Sequence, residues 1–159
     1  MKNSLKKILL SFAVTFGTAA AIFFVFRLGS ICSEPFDALK KPFLFPSANF
    51  FFHMCFISCF FSSVAVFRVL TSVTSAALLK NAVSSYLIGL LFYFVWSMIF
   101  FLLKEYFFAF FWFFPVIFFA ICAMRCFSKT DRFAGYLIIP QVIITGYAGY
   151  LIFFIWLLN

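Results

Sequence analysis

Charged residues are scarce in this sequence, and acidic residues are the scarcest. Only 10% of the 159 residues are charged, and 4 acids stand against 12 lysines and arginines. A soluble domain carries about 25% charged residues, whereas 67% of this chain is hydrophobic and 25% is aromatic. A water-soluble fold of this length cannot bury so much apolar surface, but a lipid-exposed fold has hydrocarbon as its solvent. The composition therefore predicts a membrane protein and excludes an ordinary soluble domain.

Groups that perform chemistry are also few. His53 is the only histidine, and the sequence contains no glycine-rich phosphate loop and no zinc-binding spacing. No pair of carboxylates shares a helix face, and no Ser-His-Asp arrangement is visible. A histidine within a span acts as a proton relay, ligates haem, or bonds to a neighbouring helix, and the last role is the commonest. We therefore expect no enzymatic activity, no resident cofactor and no metal site. Without a basic face, we also expect no nucleic-acid partner.

Of the five cysteines, only Cys32 falls in a predicted loop, so a disulfide framework is not indicated. Two pairs have i, i+4 spacing and so share a helix face, namely Cys55 with Cys59 and Cys122 with Cys126. Such pairs either ligate a metal as thiolates or act as small packing residues. A dry membrane interior disfavours thiolates, so we favour packing.

Five long uncharged runs are each close to the length of about 20 residues that a spanning helix needs. They predict an all-α, integral membrane bundle of five transmembrane helices, formed by one domain over residues 1–159. Pro140 in the fifth span predicts a bend near Gln141. The spans are approximately 8–26, 47–67, 81–103, 106–124 and 133–158.

The two ends of the predicted bundle differ in positive charge. The first span follows a basic start, as in a cleaved signal peptide, but its length favours a retained helix. Five spans put the termini on opposite sides, with eight cations on the N-terminal side and four on the other. By the positive-inside rule, the N-terminus is predicted to be cytoplasmic. The eight are Lys2, Lys6, Lys7, Arg68, Lys80, Arg125, Lys129 and Arg132, and the four are Arg27, Lys40, Lys41 and Lys104.

Several short motifs resemble one membrane-protein family over nearly the whole chain. KKPFLFP at residues 40–46 is similar to the Lys-Pro-x-aromatic-x-Pro-Pro start of helix two in the TspO/MBR family, the tryptophan-rich sensory and translocator proteins. WSMIFF at 96–101 resembles that family's helix-three ending, and AGYLIIP at 134–140 its helix-five opening. AGYL at 148–151 and IWLLN at 155–159 resemble its C-terminal signature.

The resemblance implies a ligand pocket between helices two, three, four and five, beneath the first loop. Family members bind porphyrins, sterols and benzodiazepine-site ligands, and they are often homodimers. A tetrapyrrole or sterol-like flat ligand and a homodimer are therefore the partners it implies, besides the lipid bilayer. The residues we expect to contact the ligand are Phe50, Phe51, Trp96, Phe100, Ala148 and Leu151.

The sequence also departs from the family pattern at pocket positions. The tryptophan of helix two is replaced by Met54, and an acid of helix four by Trp112. Four other polar or indole positions become Ser58, Tyr93, Gln141 and Ile144. Binding, transport or sensing of a porphyrin-like ligand is the function the resemblance favours. The alternatives are a membrane interaction or regulatory subunit without a ligand and, less favoured because pocket tryptophans are missing, a porphyrin-degrading enzyme.

Overall fold

A computed structural model describes residues 2–32, 40 and 48–158, and the side chains of residues 5–28, 40 and 53–158. These residues form five long helices and contain no strand, which confirms the all-α prediction. All five helices are long and apolar enough to cross a membrane. Their bounds are α1 Lys2–Cys32, α2 Ala48–Thr71, α3 Ala76–Met98, α4 Tyr106–Thr130 and α5 Arg132–Leu158.

The helices extend beyond several of the uncharged runs. At its N-terminal end, α1 includes the lysines at the start of the chain, and α4 runs on through Lys129 to Thr130. Ser75 caps α3, where its side chain accepts a hydrogen bond from the Leu78 N–H at 3.3 Å. Helical backbone bonds form equally well outside hydrocarbon, so a charged residue marks the membrane boundary without ending the helix.

The connection between α3 and α4 is short. One π-helical turn, Ile99–Leu103, follows α3, and Lys104 then adopts a left-handed conformation with φ 54°. A left-handed residue is a common way to end a helix because it turns the chain away from the axis. The reversal leaves α3 and α4 packed side by side as an antiparallel pair.

Around the bundle, the helices follow the order α1, α2, α5, α4, α3 and back to α1. Each helix packs against the next in this order, and α2 also has a smaller contact with α3 and with α4. The continuous α5 includes Pro140, and α4 includes Pro115. The bend predicted at Gln141 stays a prediction. This ring order leaves a central space bordered by α1, α2, α3 and α5.

Polar contacts join three helix ends at the end of the bundle that holds the N-terminus, here called the N-terminal end. Lys7 Nζ donates to the Leu70 carbonyl at 2.6 Å, which joins α1 to α2. Arg68 Nε donates to Asp131 Oδ2 at 2.8 Å, and the Arg68 guanidinium lies 4.9 Å from the centre of the Phe133 ring. Asp131 also accepts from the Phe133 N–H at 2.9 Å and so caps α5.

The Asp131 carboxyl has a pKa below its ordinary value. Burial alone would raise this pKa, but the Arg68 hydrogen bond and charge and the backbone N–H groups of Phe133 and Ala134 lower it by more. The ionised form is thus the one that the folded protein prefers. Beneath this ion pair lies a core cluster from α2, α3, α4 and α5 that includes Val69, Tyr86, Phe127 and Ile138.

The other end of the bundle, here called the opposite end, has an aromatic core. We call this core the aromatic cluster, and its members lie on α3, α4, α5 and the π-helical turn that follows α3. Within it, the α5 backbone approaches α4 so closely that a Cβ atom at Gly149 would lie 2.4 Å from Cε1 of Phe113. Small residues of this kind let membrane helices approach each other. The members of the aromatic cluster are Trp96, Phe100, Ala109, Phe113, Val116, Ala148, Ile152 and Ile155.

Large apolar side chains cover the outside of the bundle. Each of four phenylalanines, Phe24, Phe56, Phe108 and Phe118, is about 60% exposed. In the most apolar part of each helix, at most 33% of the residues are buried. Soluble monomers rarely expose apolar patches larger than a few hundred Å². This surface is therefore the one that contacts the lipid bilayer, and the protein is an integral, multi-pass membrane protein.

Candidate functional site

A small polar cavity lies in the central space of the bundle. Its volume is about 70 Å³, and α1, α2, α3 and α5 supply its walls. At about 30 Å³ of liquid volume per water molecule, this space corresponds to about two waters. Among the lining residues, the polar side chains include Thr15, Ser58, Ser62, Tyr93, Gln141 and Thr145. The cavity is therefore a polar compartment within otherwise apolar helices.

Hydroxyl groups on α1 and α2 join these helices beside the cavity. The Thr15 and Ser63 hydroxyls are hydrogen-bonded to each other, and both residues are buried. Each hydroxyl also has a carbonyl of its own helix within hydrogen-bond distance, Ser11 at 2.7 Å for Thr15 and Cys59 at 2.8 Å for Ser63. Since each hydroxyl has one proton, one of them donates to the other hydroxyl and the second donates to its helix carbonyl. Such bonds satisfy the hydroxyls within hydrocarbon and connect the two helices.

A second hydrogen bond joins α2 to α5 in the cavity wall. The Ser62 hydroxyl donates to Gln141 Oε1 at 2.6 Å. An amide side chain has two N–H donors besides its carbonyl oxygen. Because Ser62 occupies the oxygen, the N–H groups of Gln141 remain for another acceptor. The bond thus orients the Gln141 amide at the cavity wall.

Two further hydroxyls line the cavity without an internal partner. Ser58 is 6% exposed and Thr145 is 4% exposed, and neither hydroxyl bonds to another residue in the described part of the chain. Native proteins pair the large majority of buried polar groups. Two unpaired hydroxyls on facing helices are therefore open to a group that occupies the cavity.

No charged side chain of the described residues lines this cavity, but two thiols do. Cys55 and Cys59 contribute to its α2 wall, while His53 is exposed on the same helix. Within the described residues, no three His, Cys, Asp or Glu side chains come together to hold a metal ion. The arrangement can bind a small uncharged polar group, and it offers no charge to stabilise an ion.

Four of the six residues predicted to contact a ligand lie beside this cavity, toward the opposite end. Trp96, Phe100 and Ala148 belong to the aromatic cluster, and the Trp96 and Phe100 rings stack with centroids 5.4 Å apart. Leu151 is buried on α5, whereas the side chains of Phe50 and Phe51 lie outside the described residues. The role of all six predicted residues as ligand contacts stays a prediction.

Helical spacing connects the predicted set with the cavity. Tyr93 lines the cavity three residues before Trp96, and Thr145 lines it three residues before Ala148. Residues three or four apart share a helix face. The cavity is therefore the continuation, toward the N-terminal end, of the faces on which the predicted residues stand.

Trp96 has an unusual polar atom in this region. Its indole N–H is buried and has no hydrogen-bond partner within the described residues. The indole of Trp112, in contrast, donates to the Phe92 carbonyl at 3.2 Å. A buried donor without a partner costs free energy, so Trp96 is the second place in this part of the bundle where a ligand can supply a missing bond.

Sequence reasoning did not identify the cavity, although one signal pointed to it. Ser58, Tyr93, Gln141 and Ile144 are positions where the sequence departs from the family pattern, and all four line the cavity. The contribution of α1, through Thr15, had no such signal. Threonines in a spanning helix usually bond to their own backbone, so the sequence does not show which of them faces a cavity.

Comparison with known proteins gives one match. The family model described as the TspO/MBR family matches residues 8–157, which is nearly the whole chain. No curated protein matches.

Proposed function

Because the chain belongs to the TspO/MBR family, we propose that it binds a tetrapyrrole or a similar flat hydrophobic ligand within the membrane. Family membership supports a membrane sensory or transport protein in general. The ligand class is our proposal, and so is the site between α3 and α5. We propose binding without chemical conversion, since no described residue places a charged side chain in the cavity wall to assist proton transfer.

The observation on which this proposal depends most is the unpaired indole N–H of Trp96. Within the described residues it is a donor without an acceptor, in an aromatic region that suits a planar ring. Ligand sites combine apolar walls with a few placed polar groups. An acceptor atom on the ligand would complete the hydrogen bond that the described residues leave unmade.

Binding requires the aromatic cluster to open. The 70 Å³ cavity is too small for a macrocycle, since ligand pockets measure about 300–1,000 Å³. Trp96, Phe100 and Ala148 are packed in the cluster. A flat ligand must therefore separate α3 from α5 at the opposite end, and binding should be slower than diffusion allows.

A matched pair of tryptophan substitutions tests the proposal. Trp96→Phe removes the unpaired N–H, and Trp112→Phe removes an N–H that the protein already pairs. We expect Trp96→Phe to weaken protoporphyrin binding about three- to tenfold, the effect of one hydrogen bond, and Trp112→Phe to leave it unchanged. The affinities of both variants are measured in lipid nanodiscs from the change in the porphyrin absorption band.

Equal affinity in the two variants would contradict the role of Trp96. If the parent protein binds no porphyrin, the ligand class is wrong, and a membrane subunit that acts through a protein partner becomes the better interpretation. Formation of a porphyrin breakdown product during the titration would instead indicate an enzyme.

A second pair of substitutions on α5 tests the location. Ala148→Phe fills the space beside Trp96, whereas Ile143→Phe adds a ring to a position that is 62% exposed. We expect Ala148→Phe to abolish porphyrin binding and Ile143→Phe to preserve it. Overpacking costs about 1–3 kcal/mol, so the helical content of the Ala148 variant is measured alongside. A folded Ala148→Phe variant with parental affinity would place the ligand elsewhere.

We also propose that the N-terminus faces the cytoplasm, because cations are more numerous on its side of the membrane. Reporter fusions at Lys2 and Asn159 should lie on opposite sides, with the N-terminal one inside. The homodimer that the family resemblance implies is likewise a proposal, which the molar mass of the protein in nanodiscs would test.

A further inference from the structure

The cavity of Ser58 and Thr145 is distinct from the aromatic cluster and can recognise a different part of a ligand. We propose that this cavity binds an uncharged oxygen-bearing group, a carbonyl or a hydroxyl, at the inner end of the ligand. The inference depends on the proposed function, because it assigns one end of the same ligand to the cavity and leaves the flat body among the aromatic residues.

The first reason is the pair of unpaired hydroxyls. Ser58 on α2 and Thr145 on α5 line the cavity from different helices, and both are more than nine-tenths buried. Neither bonds to another residue in the described ranges. A hydroxyl can donate one hydrogen bond and accept two. An oxygen atom between the two helices could accept from both.

The second reason is the Gln141 amide. Its Oε1 accepts from Ser62, and its two N–H groups remain as donors. The amide N–H and the two hydroxyls can all donate to one ligand oxygen, and a carbonyl oxygen needs only donors. Such a wall suits a carbonyl oxygen best, and a hydroxyl oxygen next.

The third reason is the absence of charge from the cavity lining. Among the residues that the structure describes, no lysine, arginine, aspartate or glutamate contributes to its walls. A carboxylate placed there would lose its hydration without gaining a counter-ion, which is costly in a medium of low dielectric constant. The acidic groups of a ligand would instead stay toward the opposite end, where the sequence has Arg27, Lys40 and Lys104.

The size of the cavity fits one such group. A volume of about 70 Å³ accommodates a carbonyl or hydroxyl and the first carbon atoms of a ring. Trp96 and Ala148 lie one helical turn beyond Tyr93 and Thr145, so a planar body attached to that group would extend toward them. The cavity would therefore select both the chemistry and the orientation of the ligand.

Three planar probes that differ only in polarity test the inference. Anthracene has no polar atom, anthraquinone adds uncharged carbonyls, and anthracene-2-carboxylate adds an anion. We expect the parent protein in nanodiscs to bind anthraquinone about tenfold more tightly than anthracene, as for one or two net hydrogen bonds. Because its charge stays outside the cavity, the carboxylate should gain nothing from the cavity hydroxyls and should bind about tenfold more weakly than anthraquinone, as anthracene does. Tryptophan quenching, corrected with empty nanodiscs, gives the dissociation constants.

Two substitutions locate the effect. Thr145→Val and Ser58→Ala each remove one cavity hydroxyl with little change in shape, and each should weaken anthraquinone binding about three- to tenfold. Anthracene binding should not change. The matched controls are Thr71→Val and Ser84→Ala, whose hydroxyls bond to their own helices outside the cavity; both should behave as the parent does.

The infrared carbonyl band of bound anthraquinone provides a second measurement. Hydrogen bonding should lower its frequency in the parent, and the shift should shrink in Thr145→Val and Ser58→Ala but not in the controls. The inference is overturned if anthraquinone and anthracene bind equally, if the carboxylate binds as well as anthraquinone, or if the cavity variants match the controls.

The outcomes also separate this inference from the proposed function. Porphyrin binding without a preference for anthraquinone over anthracene would leave the proposed function intact and remove the role of the cavity. A hydroxyl-dependent preference for anthraquinone without porphyrin binding would support the cavity and remove the tetrapyrrole as the ligand.

Discussion

The aromatic cluster and the α1–α2 side of the bundle are stabilised in different ways. The cluster joins α3, α4 and α5 through rings and small residues, as where Phe113 lies against Gly149. The α1–α2 side depends more on directed contacts, such as Thr15 with Ser63 and Ser62 with Gln141. In lipid the hydrophobic effect does not drive helices to associate, so close packing and hydrogen bonds must drive their association. One membrane bundle here uses both means, in separate regions.

The difference between the regions indicates where a ligand can act. Close-packed regions resist added volume and respond by moving whole helices. In a hydrogen-bonded region a few side chains have fixed partners, and a polar group of a ligand can bind beside them. We therefore expect binding to change the spacing of α3 and α5 while the α1–α2 contacts stay in place.

The largest effect should come from filling the closest helix contact in the aromatic cluster. A Cβ atom added at Gly149 would lie 2.4 Å from Cε1 of Phe113, whose ring is packed against Trp96. We expect Gly149→Ala to lower the free energy of unfolding by about 1–3 kcal/mol, the usual cost of overpacking. Thermal unfolding followed by circular dichroism measures the change.

Gly17→Ala is the matched control, since no described residue outside the adjoining turns of α1 has an atom within 4 Å of a Cβ added there. Alanine is a better helix former than glycine by up to about 1 kcal/mol, so this variant should be as stable as the parent or more so. Equal behaviour of the two glycine variants would show that the cluster is loosely packed.

A smaller effect should follow the loss of the Asp131 carboxylate, which joins α2 to the start of α5. Asp131→Asn removes the Arg68 ion pair but keeps a capping side chain for α5. Arg68 is 44% exposed, and exposed ion pairs contribute about 0–1 kcal/mol. We expect the variant to lose stability within that range at neutral pH, as measured by its thermal midpoint.

The lowered pKa of Asp131 also predicts how the stability difference between the parent and Asp131→Asn depends on pH. Because the folded-state pKa of Asp131 is lowered, its contribution is present above the unfolded carboxyl pKa of about 3.9. It should be lost as pH falls through the lower folded-state pKa. Parent and Asp131→Asn should therefore converge in acid. A stability difference that stays constant down to acid pH would contradict the ion pair.

The smallest effect should be the coupling between Thr15 and Ser63. Each hydroxyl also has a carbonyl of its own helix within hydrogen-bond distance. A hydroxyl that loses its partner on the other helix can therefore donate to that carbonyl. A double-mutant cycle of Thr15→Val and Ser63→Ala should give a coupling of ~0.6 kcal/mol, the average for hydrogen bonds between membrane helices. A coupling near zero would show that the α1–α2 contact depends on shape, as the aromatic cluster does.

Sequence reasoning predicted the five spans because charge marks their boundaries. Arg68, Lys104 and Asp131 bound uncharged runs, and the helices pass from one such boundary to the next. Family resemblance predicted that Trp96 and Ala148 belong to one functional region. Their mutual packing came from the structure, because helical spacing gives the face of a residue but not the helix opposite that face.

The sequence by itself determined that this protein crosses a membrane five times and belongs to the TspO/MBR family. Hydrocarbon imposes length and apolarity on every span, and those properties can be counted along a chain. Only the tertiary structure decided that Ser58, Gln141 and Thr145 border one cavity and that the Trp96 N–H lacks a described partner. A hydroxyl or amide in a helix can bond to its own backbone, to another helix or to a guest, and the neighbours that decide among these come from distant parts of the chain.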